Sequence, residues 1–343
     1  MNTLHHVRVD LGVRSYDVVV GRGAIRELAS VIPADAKRVA LVTQASLPID
    51  VRALLPAGVT VSRHLIGDGE QHKSLATIER LCEEFAAAGI TRNDVVVGVG
   101  GGMVTDVAGF AAASWHRGMR VVHVSTTLVG MIDAAIGGKT GVNVAAGKNL
   151  VGAFWQPTGV VCDTAFLDTL PDREQRCGRG EMAKYHFLTG DDLLALDLDA
   201  RVARCVQIKA DVVGVDERES GRRAVLNYGH TLGHALEIAT DFALAHGEAV
   251  AVGMMFAAHL AHALGRIDVA RVAQHRTVIA EHYGLQCAPP KDVDRATLIE
   301  LMHHDKKAVD GLTFVLDGHN GIETVRNVDV AAVYQAFDAL SVP

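Results

Sequence analysis

The chain has 343 residues, of which 49% are hydrophobic and 21% are charged, so a folded protein of two domains is expected and a disordered one is excluded. The formal net charge is −7 without a long basic run, which argues against nucleic-acid binding and requires any anionic substrate to meet a local basic pocket. The sequence shows no signal peptide, no bilayer-spanning stretch and no CxxC pair among its five cysteines, so we expect a cytoplasmic protein that binds neither nucleic acid nor membrane.

The first half of the chain alternates β-branched runs with amphipathic segments. The helix candidates are GAIRELASVI and SLATIERLCEEFAAAG, and the strand candidates are VRVDL, YDVVV, RVALVT, TVSRHLI, DVVVGVG and RVVHVST. This alternation predicts a mostly parallel sheet covered on both faces. We therefore predict an N-terminal α/β Rossmann-like domain over residues 1–158.

A glycine triplet follows the strand DVVVGVG and precedes a helix of small residues. Glycines at such a junction let the backbone approach a pyrophosphate, while the helix start offers free N–H groups. Asp106 lies early in this helix, and the upstream turn GDGEQHKS places Glu70 and Lys73 where they could reach a ribose or adenine. A tight turn without a ligand is the alternative, because the spacing is not GxGxxG.

The stretch from Ser125 to Pro157 is rich in glycine and shows no regular periodicity. Loops of this kind are costly to order unless they bind something, and lysines beside exposed N–H groups suit a phosphate or carboxylate. A flexible linker is the alternative, although the apolar runs TTLVGMI and LVGAFW argue against it. The polar residues of this stretch are Asp133, Lys139, Asn143, Lys148 and Asn149.

After VVCDT the pattern changes to helices, which predicts a mostly α-helical C-terminal domain over residues 159–343. In GEMAK, Glu181 and Lys184 lie three apart on one helix face, and an ordinary surface ion pair would explain them. His230 and His234 are four apart, so a helix places both imidazoles on one face, and the returning chain can present His246. Such a cluster can hold a divalent ion, whereas histidines satisfied by their neighbours are the alternative.

Several motifs occur in one order along the chain: the glycine triplet, GGKT and GKN, ExxK, LNxGHTxGH, HGE and DKK. In this order the sequence resembles the 3-dehydroquinate synthases, which belong to the wider sugar-phosphate cyclases. The resemblance implies a bound NAD, a divalent metal (zinc or cobalt) and the substrate 3-deoxy-arabino-heptulosonate 7-phosphate. It also implies a homodimeric lyase of the shikimate pathway, which forms 3-dehydroquinate and releases phosphate by transient oxidation, elimination, re-reduction and intramolecular aldol closure.

The resemblance further implies roles for individual residues. The metal ligands would be Glu181, His230 and His246, with His234 as a nearby proton-transfer or phosphate-site group. The residues that would line the substrate pocket are Asp133, Lys139, Asn149, Lys184, Lys209, Arg223, Asn227, Lys306, Lys307 and, across a homodimer, Arg117. Those that would contact NAD are Glu70, Lys73, Gly101, Gly102, Asp106, Thr126, Thr127, Lys139, Lys148, Thr169, Leu170 and Glu174.

Some features depart from the family pattern. Ser125 stands where proline is usual, the first βα junction VTQAS lacks an Asp or Asn, and the link from Lys184 to Lys209 is shorter than usual. Relatives that make an amino analogue of dehydroquinate or cyclise sedoheptulose 7-phosphate share the scaffold, but Arg223 and Asn227 in RAVLN favour the dehydroquinate type.

Two functions outside the cyclases are alternatives for a chain with these features. A metal-dependent polyol dehydrogenase would need no phosphate pocket, so the lysines at 139, 148, 184 and 209 argue against it. A protein that only senses NAD or metal would have little use for so many charged groups.

Overall fold

The computed structural model describes residues 3–305 and 312–340, which form two compact units. The first unit contains Met1–Leu170 and Asp197–Arg218, and the second contains Pro171–Leu196 and Glu219–Pro343. Each unit is built around its own hydrophobic core.

The first unit is a sheet covered by helices. Its helices are α1 (Leu28–Val31), α2 (Leu75–Ala87), α3 (Gly102–Ser114) and α5 (Leu198–Val215). Its strands are β1 (His5–Val9), β2 (Tyr16–Val20), β3 (Arg38–Gln44), β4 (Thr60–Ile66), β5 (Val95–Gly100), β6 (Arg120–Ser125), β7 (Lys139–Val144), β8 (Gly147–Phe154) and β9 (Gly159–Cys162).

Seven of these strands form one sheet in the order β1-β2-β9-β6-β5-β3-β4. Every neighbouring pair is parallel except β1 and β2, which pair antiparallel. Valine side chains alternate between the two faces, so Val96 packs in the core formed with α2 and α3 while Val95 and Val97 pack in the core on the opposite face. The predicted α/β fold with a mostly parallel sheet is confirmed.

The stretch predicted to be an irregular loop contains regular structure. After a short π-helix at Gly130–Ala134, β7 and β8 form an antiparallel hairpin in which Gly141 lies opposite Gly152. A Cβ atom on Gly152 would lie 2.0 Å from the carbonyl oxygen of Thr140, so glycine is required at this crossing. These glycines interrupt the apolar alternation by which a strand is recognised, which explains why the sequence pattern missed the hairpin.

The first unit extends beyond the boundary predicted at residue 158/159. Strand β9 lies within the sheet between β2 and β6, and it therefore belongs with the α/β unit. Helix α5, which was predicted to lie in the second domain, packs against β1. The chain thus leaves the first unit after Leu170 and returns to it for one helix.

The second unit is mostly helical, as the sequence predicts. Helix α7 is buried on nearly all sides and contacts α4, α6, α8 and α10. Among the described residues, no helix combines the length and apolar character needed to cross a bilayer. The elements are α4 (Asp172–Thr189), α6 (His230–Ala239), α7 (His246–Ala263), α8 (Val269–Arg276), α9 (Arg295–Asp305), β10 (Leu312–Leu316), β11 (Glu323–Val328) and α10 (Val330–Leu340).

Candidate active site

Close contacts between glycines bring three segments of the second unit together. A Cβ atom on Gly180 of α4 would lie 1.9 Å from the carbonyl oxygen of Gly247 in α7. Gly229, which precedes α6 at φ +81°, has its carbonyl oxygen 1.9 Å from where a Cβ atom on Gly253 would lie. Only glycine permits such approach of one backbone to another. Glu181 follows Gly180, His230 follows Gly229, and His246 precedes Gly247.

These three side chains converge on one point. The Oε1 atom of Glu181 lies 3.0 Å from Nε2 of His246 and 3.3 Å from Nε2 of His230. One ligand atom from each residue lies within 4.8 Å of the others. A carboxylate with two imidazoles suits a catalytic divalent metal such as zinc, because three protein ligands leave a coordination position for substrate. The donor set therefore fits the metal expected from the sequence.

Burial and neighbouring charges set the protonation of this cluster. Burial alone would raise the pKa of Glu181, but Lys184 and His230 hold it well below its usual value. Burial lowers the pKa of His230 to about 4. Burial would also lower the pKa of His246, but hydrogen bonds with Glu181 and Glu237 outweigh burial and raise it to about 10.

His234 lies beside the cluster, on the same helix as His230. Its ring centroid is 5.4 Å from that of His230 and 6.0 Å from that of His246. His234 forms a second group with Glu237 and His246, in which one ligand atom of each residue also lies within 4.8 Å of the others. The arrangement favours Glu181 over His234 as the third ligand, in place of the three-histidine site that spacing alone suggested.

Two predicted substrate residues lie in the short 3₁₀ helix Arg222–Asn227 that leads into α6. Arg223 is buried, with 1% of its surface exposed. Asn227 Nδ2 donates a hydrogen bond of 2.8 Å to Oε1 of Glu219, a residue that the sequence motifs do not include. Glu219 adopts a left-handed backbone at φ +58°, and a single acid in a polar loop carries no periodic signal by which to recognise it.

The glycine triplet of the first unit lies where β5 ends and α3 begins, as predicted. Gly101 is the N-cap of α3, and a Cβ atom there would lie 2.9 Å from Cγ2 of Thr127. The main-chain N–H of Thr126 donates to the carbonyl of Gly100, and Oγ1 of Thr127 accepts from the N–H of Gly130. This narrow cradle at a helix N-terminus fits a pyrophosphate group.

A polar cluster includes Asp106 of α3, the helix whose N-terminus forms the cradle. Lys73 is buried, and its Nζ lies 2.5 Å from Oδ2 of Asp106 and 2.5 Å from Oδ1 of Asn149. Asn143, absent from the predicted site residues, donates through Nδ2 to Oε1 of Glu70 and accepts through Oδ1 from the N–H of Asn149. Burial raises the pKa of Asp106 to about 6 although Lys73 acts against it. The structure thus brings four predicted residues together and adds Asn143.

Lys209 of α5 and Asp133 also meet in the first unit. The Nζ atom of Lys209 lies 2.5 Å from Oδ1 of Asp133 and 2.7 Å from its carbonyl oxygen. The ammonium is therefore held in a fixed position by two acceptors.

Most of the other predicted residues that the structure describes are exposed. Lys139 and Lys148 are exposed on the β7–β8 hairpin, and Arg117 is exposed at φ +62°. Thr169 donates to the carbonyl of Phe166 within its own turn. Leu170 follows that turn, Glu174 is exposed in the first turn of α4, and Lys306 and Lys307 lie outside the described residues. The roles of all these residues stay predictions.

Comparison with known proteins shows which family the chain resembles over most of its length. Family models for the N-terminal and C-terminal parts of 3-dehydroquinate synthase match residues 63–177 and 158–308. A protein of Amycolatopsis mediterranei, provisionally named an aminodehydroquinate synthase, is 51% identical over 97% of this chain and 94% of its own. A 3-dehydroquinate synthase of Nitrobacter winogradskyi is 46% identical over 90% of this chain and 89% of its own.

A solved structure shares the fold over nearly its full length. The 2-deoxy-scyllo-inosose synthase crystallised with carbaglucose-6-phosphate, NAD+ and Co2+ has a TM-score of 0.86 and 26% identity, over 98% of this chain and 99% of its own. The two family models and the relatives at 46% and 51% identity lead to one assignment. The chain belongs to the 3-dehydroquinate synthase family.

Proposed function

We propose that this protein is a metal- and NAD-dependent 3-dehydroquinate synthase, which converts 3-deoxy-arabino-heptulosonate 7-phosphate to 3-dehydroquinate and phosphate. The observation that carries the proposal is the convergence of Glu181 Oε1 with the Nε2 atoms of His246 and His230, at 3.0 and 3.3 Å. That donor set, in a chain of this family, suits a divalent ion that binds a substrate hydroxyl.

The reaction needs a hydride acceptor and a way to ionise an alcohol. When bound, a divalent metal lowers the pKa of the substrate hydroxyl, and NAD accepts and later returns the hydride. Oxidation acidifies the neighbouring C–H, and its proton passes to the phosphate that leaves as the C–O bond breaks. After the hydride has returned, the ring opens and closes again by forming a C–C bond in the aldol step. The hydride returns in each cycle, so the net change is phosphate release without consumption of NAD.

The residues of the second unit would hold the metal and move protons. Glu181, His230 and His246 present oxygen and nitrogen donors towards one point. His234, partly exposed beside them, is placed to exchange a proton with a group at the site. Lys184 and Arg223 are buried cations that would offset the negative charge of the substrate.

The residues of the first unit would hold NAD and a further part of the substrate charge. The N–H groups at the start of α3 and the small side chains around them suit the pyrophosphate. Lys73 contacts Asn149 and also Asp106, which lies on the helix whose first turn forms that cradle. Lys209, fixed by Asp133, and the exposed Lys139 supply ammonium groups for phosphate or carboxylate.

A second candidate function is the synthesis of the amino analogue of dehydroquinate. The relative at 51% identity bears that provisional name, whereas the 3-dehydroquinate synthase described above is 46% identical. The two substrates share the phosphate and the carbon skeleton, so the metal and NAD sites described here serve either. We favour the dehydroquinate substrate because Arg223 and Asn227 are retained in the RAVLN segment.

A direct test offers the metal-loaded protein and NAD each of three substrates in parallel. These are 3-deoxy-arabino-heptulosonate 7-phosphate, its amino analogue and sedoheptulose 7-phosphate, with phosphate release and product identity recorded for each. The highest kcat/KM with the first substrate supports the proposal. A higher value with the amino analogue would transfer the assignment to the second candidate.

We also propose that the protein acts in the cytoplasm as a homodimer, with Arg117 serving the neighbouring subunit. None of the five cysteines, all of which the structure describes, is in a disulfide, which suits a reducing compartment. Sedimentation equilibrium would report the mass of the assembly, and an Arg117→Ala variant that remains dimeric but loses activity would support the role of this residue.

A further inference from the structure

His246 is held by a carboxylate at each of its two ring nitrogens. Its Nε2 lies 3.0 Å from Oε1 of Glu181, and its Nδ1 lies 2.9 Å from Oε2 of Glu237. Glu237 belongs to α6, and 12% of its side chain is exposed. This contact joins α6 to the first residue of α7.

A carboxylate at Nδ1 determines what the other ring nitrogen can do. An ionised carboxylate only accepts hydrogen bonds, so when an ion takes the place of the Nε2 proton, the remaining proton of His246 stays on Nδ1 and the lone pair stays on Nε2. That lone pair then points towards Glu181 and the position of the metal. On the basis of the proposed function, we propose that Glu237 is a positioning residue, which fixes the tautomer and ring orientation of His246 for metal binding.

The other histidine ligand is oriented differently. Nδ1 of His230 lies 3.2 Å from the main-chain carbonyl oxygen of Tyr228, so its tautomer is set by the backbone. A side-chain substitution leaves that carbonyl in place. Glu237 is therefore the residue through which ligand orientation can be tested by mutation.

Direct coordination by Glu237 is the competing role. Glu237 and His246 belong to the second convergent group, with His234. If His246 bound ions through both nitrogens, its ring would have to lose both N–H protons, and an imidazolium readily loses only the first of them. Nε2 is directed to the group that contains the fully buried Glu181. Nδ1 therefore keeps its proton and donates a hydrogen bond to Glu237. The geometry thus assigns Glu237 an indirect role.

The test measures metal affinity, which requires neither substrate nor NAD. The dissociation constants of Zn2+ and Co2+ are determined by competition with a chromophoric chelator, for the wild type and for Glu237→Ala and Glu237→Gln. Loss of a carboxylate behind a ligand histidine typically weakens metal affinity by about 10–100-fold, and we expect this range for Glu237→Ala. Glu237→Gln, whose amide oxygen still accepts a hydrogen bond, should show an intermediate loss.

Two further readouts separate orientation from general damage. The visible absorption spectrum of bound Co2+ should change in Glu237→Ala, because a reoriented imidazole alters the ligand field, whereas one ion per chain should remain the stoichiometry. Glu281→Gln, at an exposed position of the second unit, is the matched control and should match the wild type. If the alanine variant does not fold, as judged by circular dichroism, the glutamine variant carries the comparison.

Three results would count against the inference or its basis. Wild-type affinity and an unchanged cobalt spectrum in the Glu237 variants would overturn the positioning role. Two ions in the wild type and one in Glu237→Ala would identify Glu237 as a direct ligand and also overturn it. A wild-type protein that binds no divalent ion would contradict the proposed function itself, which phosphate release tests separately.

Discussion

Lys184 Nζ lies 2.5 Å from Oε2 of Glu181, and both side chains are buried, with 1% and 0% of their surfaces exposed. They are three residues apart on α4, which is the spacing of an ordinary surface ion pair. Burial changes the energetics, because a buried charge that loses its partner is strongly destabilising. The lysine thus stabilises the carboxylate before any metal arrives.

Replacement of Lys184 by methionine should make stability depend on metal. Removing one partner of a buried pair costs about 3–5 kcal/mol, and a divalent ion bound to Glu181 would offset much of that cost. We expect the free energy of unfolding, from urea titration, to fall in the chelated variant and to recover on addition of Zn2+. Lys291→Met, at an exposed position, is the control; equal behaviour of the two variants would contradict the account.

Replacement of His246 by alanine should remove metal and activity together. The variant loses one of three protein ligands, and two are too few for a catalytic zinc site. Metal content per chain after dialysis, measured by atomic emission, should fall far below that of the wild type. His262→Ala, at an exposed position near the end of the same helix, should keep its metal. A full metal content in His246→Ala would refute the ligand assignment.

Replacement of Lys139 by alanine should weaken binding of the substrate much more than binding of NAD. A hydrogen bond to a charged group contributes about 1.5–3 kcal/mol, so KM for the phosphate-bearing substrate should rise by roughly 10–100-fold if Lys139 meets it. The dissociation constant of NAD, from fluorescence titration, should change little. Comparable losses for both ligands would contradict a role in substrate binding alone and would support the NAD contact that the family resemblance also implies; Lys291→Ala serves as the surface control.

Acid should destabilise the protein through a buried histidine of the first unit. Burial lowers the pKa of His123, on β6, from 6.5 to about 4. Between these values the unfolded chain binds a proton that the folded chain does not, so stability rises with pH and falls as the pH drops. This single group should lower the free energy of unfolding by about 2 kcal/mol between pH 7 and pH 5.

The contribution of His123 can be isolated by substitution. In His123→Leu the decrease in unfolding free energy from pH 7 to pH 5 should be smaller than in the wild type by about that amount, measured by denaturant titration at each pH. His319→Leu, at an exposed position, should follow the wild type. An identical pH dependence in His123→Leu and the wild type would show that burial does not control this group.

The sequence predicted those features that depend on periodic patterns. Valine runs such as Val95–Val97 indicated buried strands, and the glycine triplet was correctly expected between a strand and a helix. The β7–β8 hairpin was missed because Gly141 and Gly152 remove the side chains on which alternation depends. The return of α5 to the first unit was missed because a helical pattern does not say which sheet the helix covers.

The candidate site was predictable only in part. The spacing of His230 and His234 indicated a histidine cluster, but Glu181 joined it through the family resemblance, since its distance along the chain gives no geometric signal. Glu237 lies three residues after His234, on a helix face that the motif had already indicated. Its contact with His246 depends on how α6 and α7 pack, which local patterns do not specify.

The most direct test of the account is the balance between phosphate and NADH. Metal-loaded protein, NAD and 3-deoxy-arabino-heptulosonate 7-phosphate should release one phosphate for each substrate consumed, with no accumulation of NADH at 340 nm and no turnover in the presence of a chelator. Accumulation of NADH without phosphate release would contradict the account and indicate a simple metal-dependent dehydrogenase.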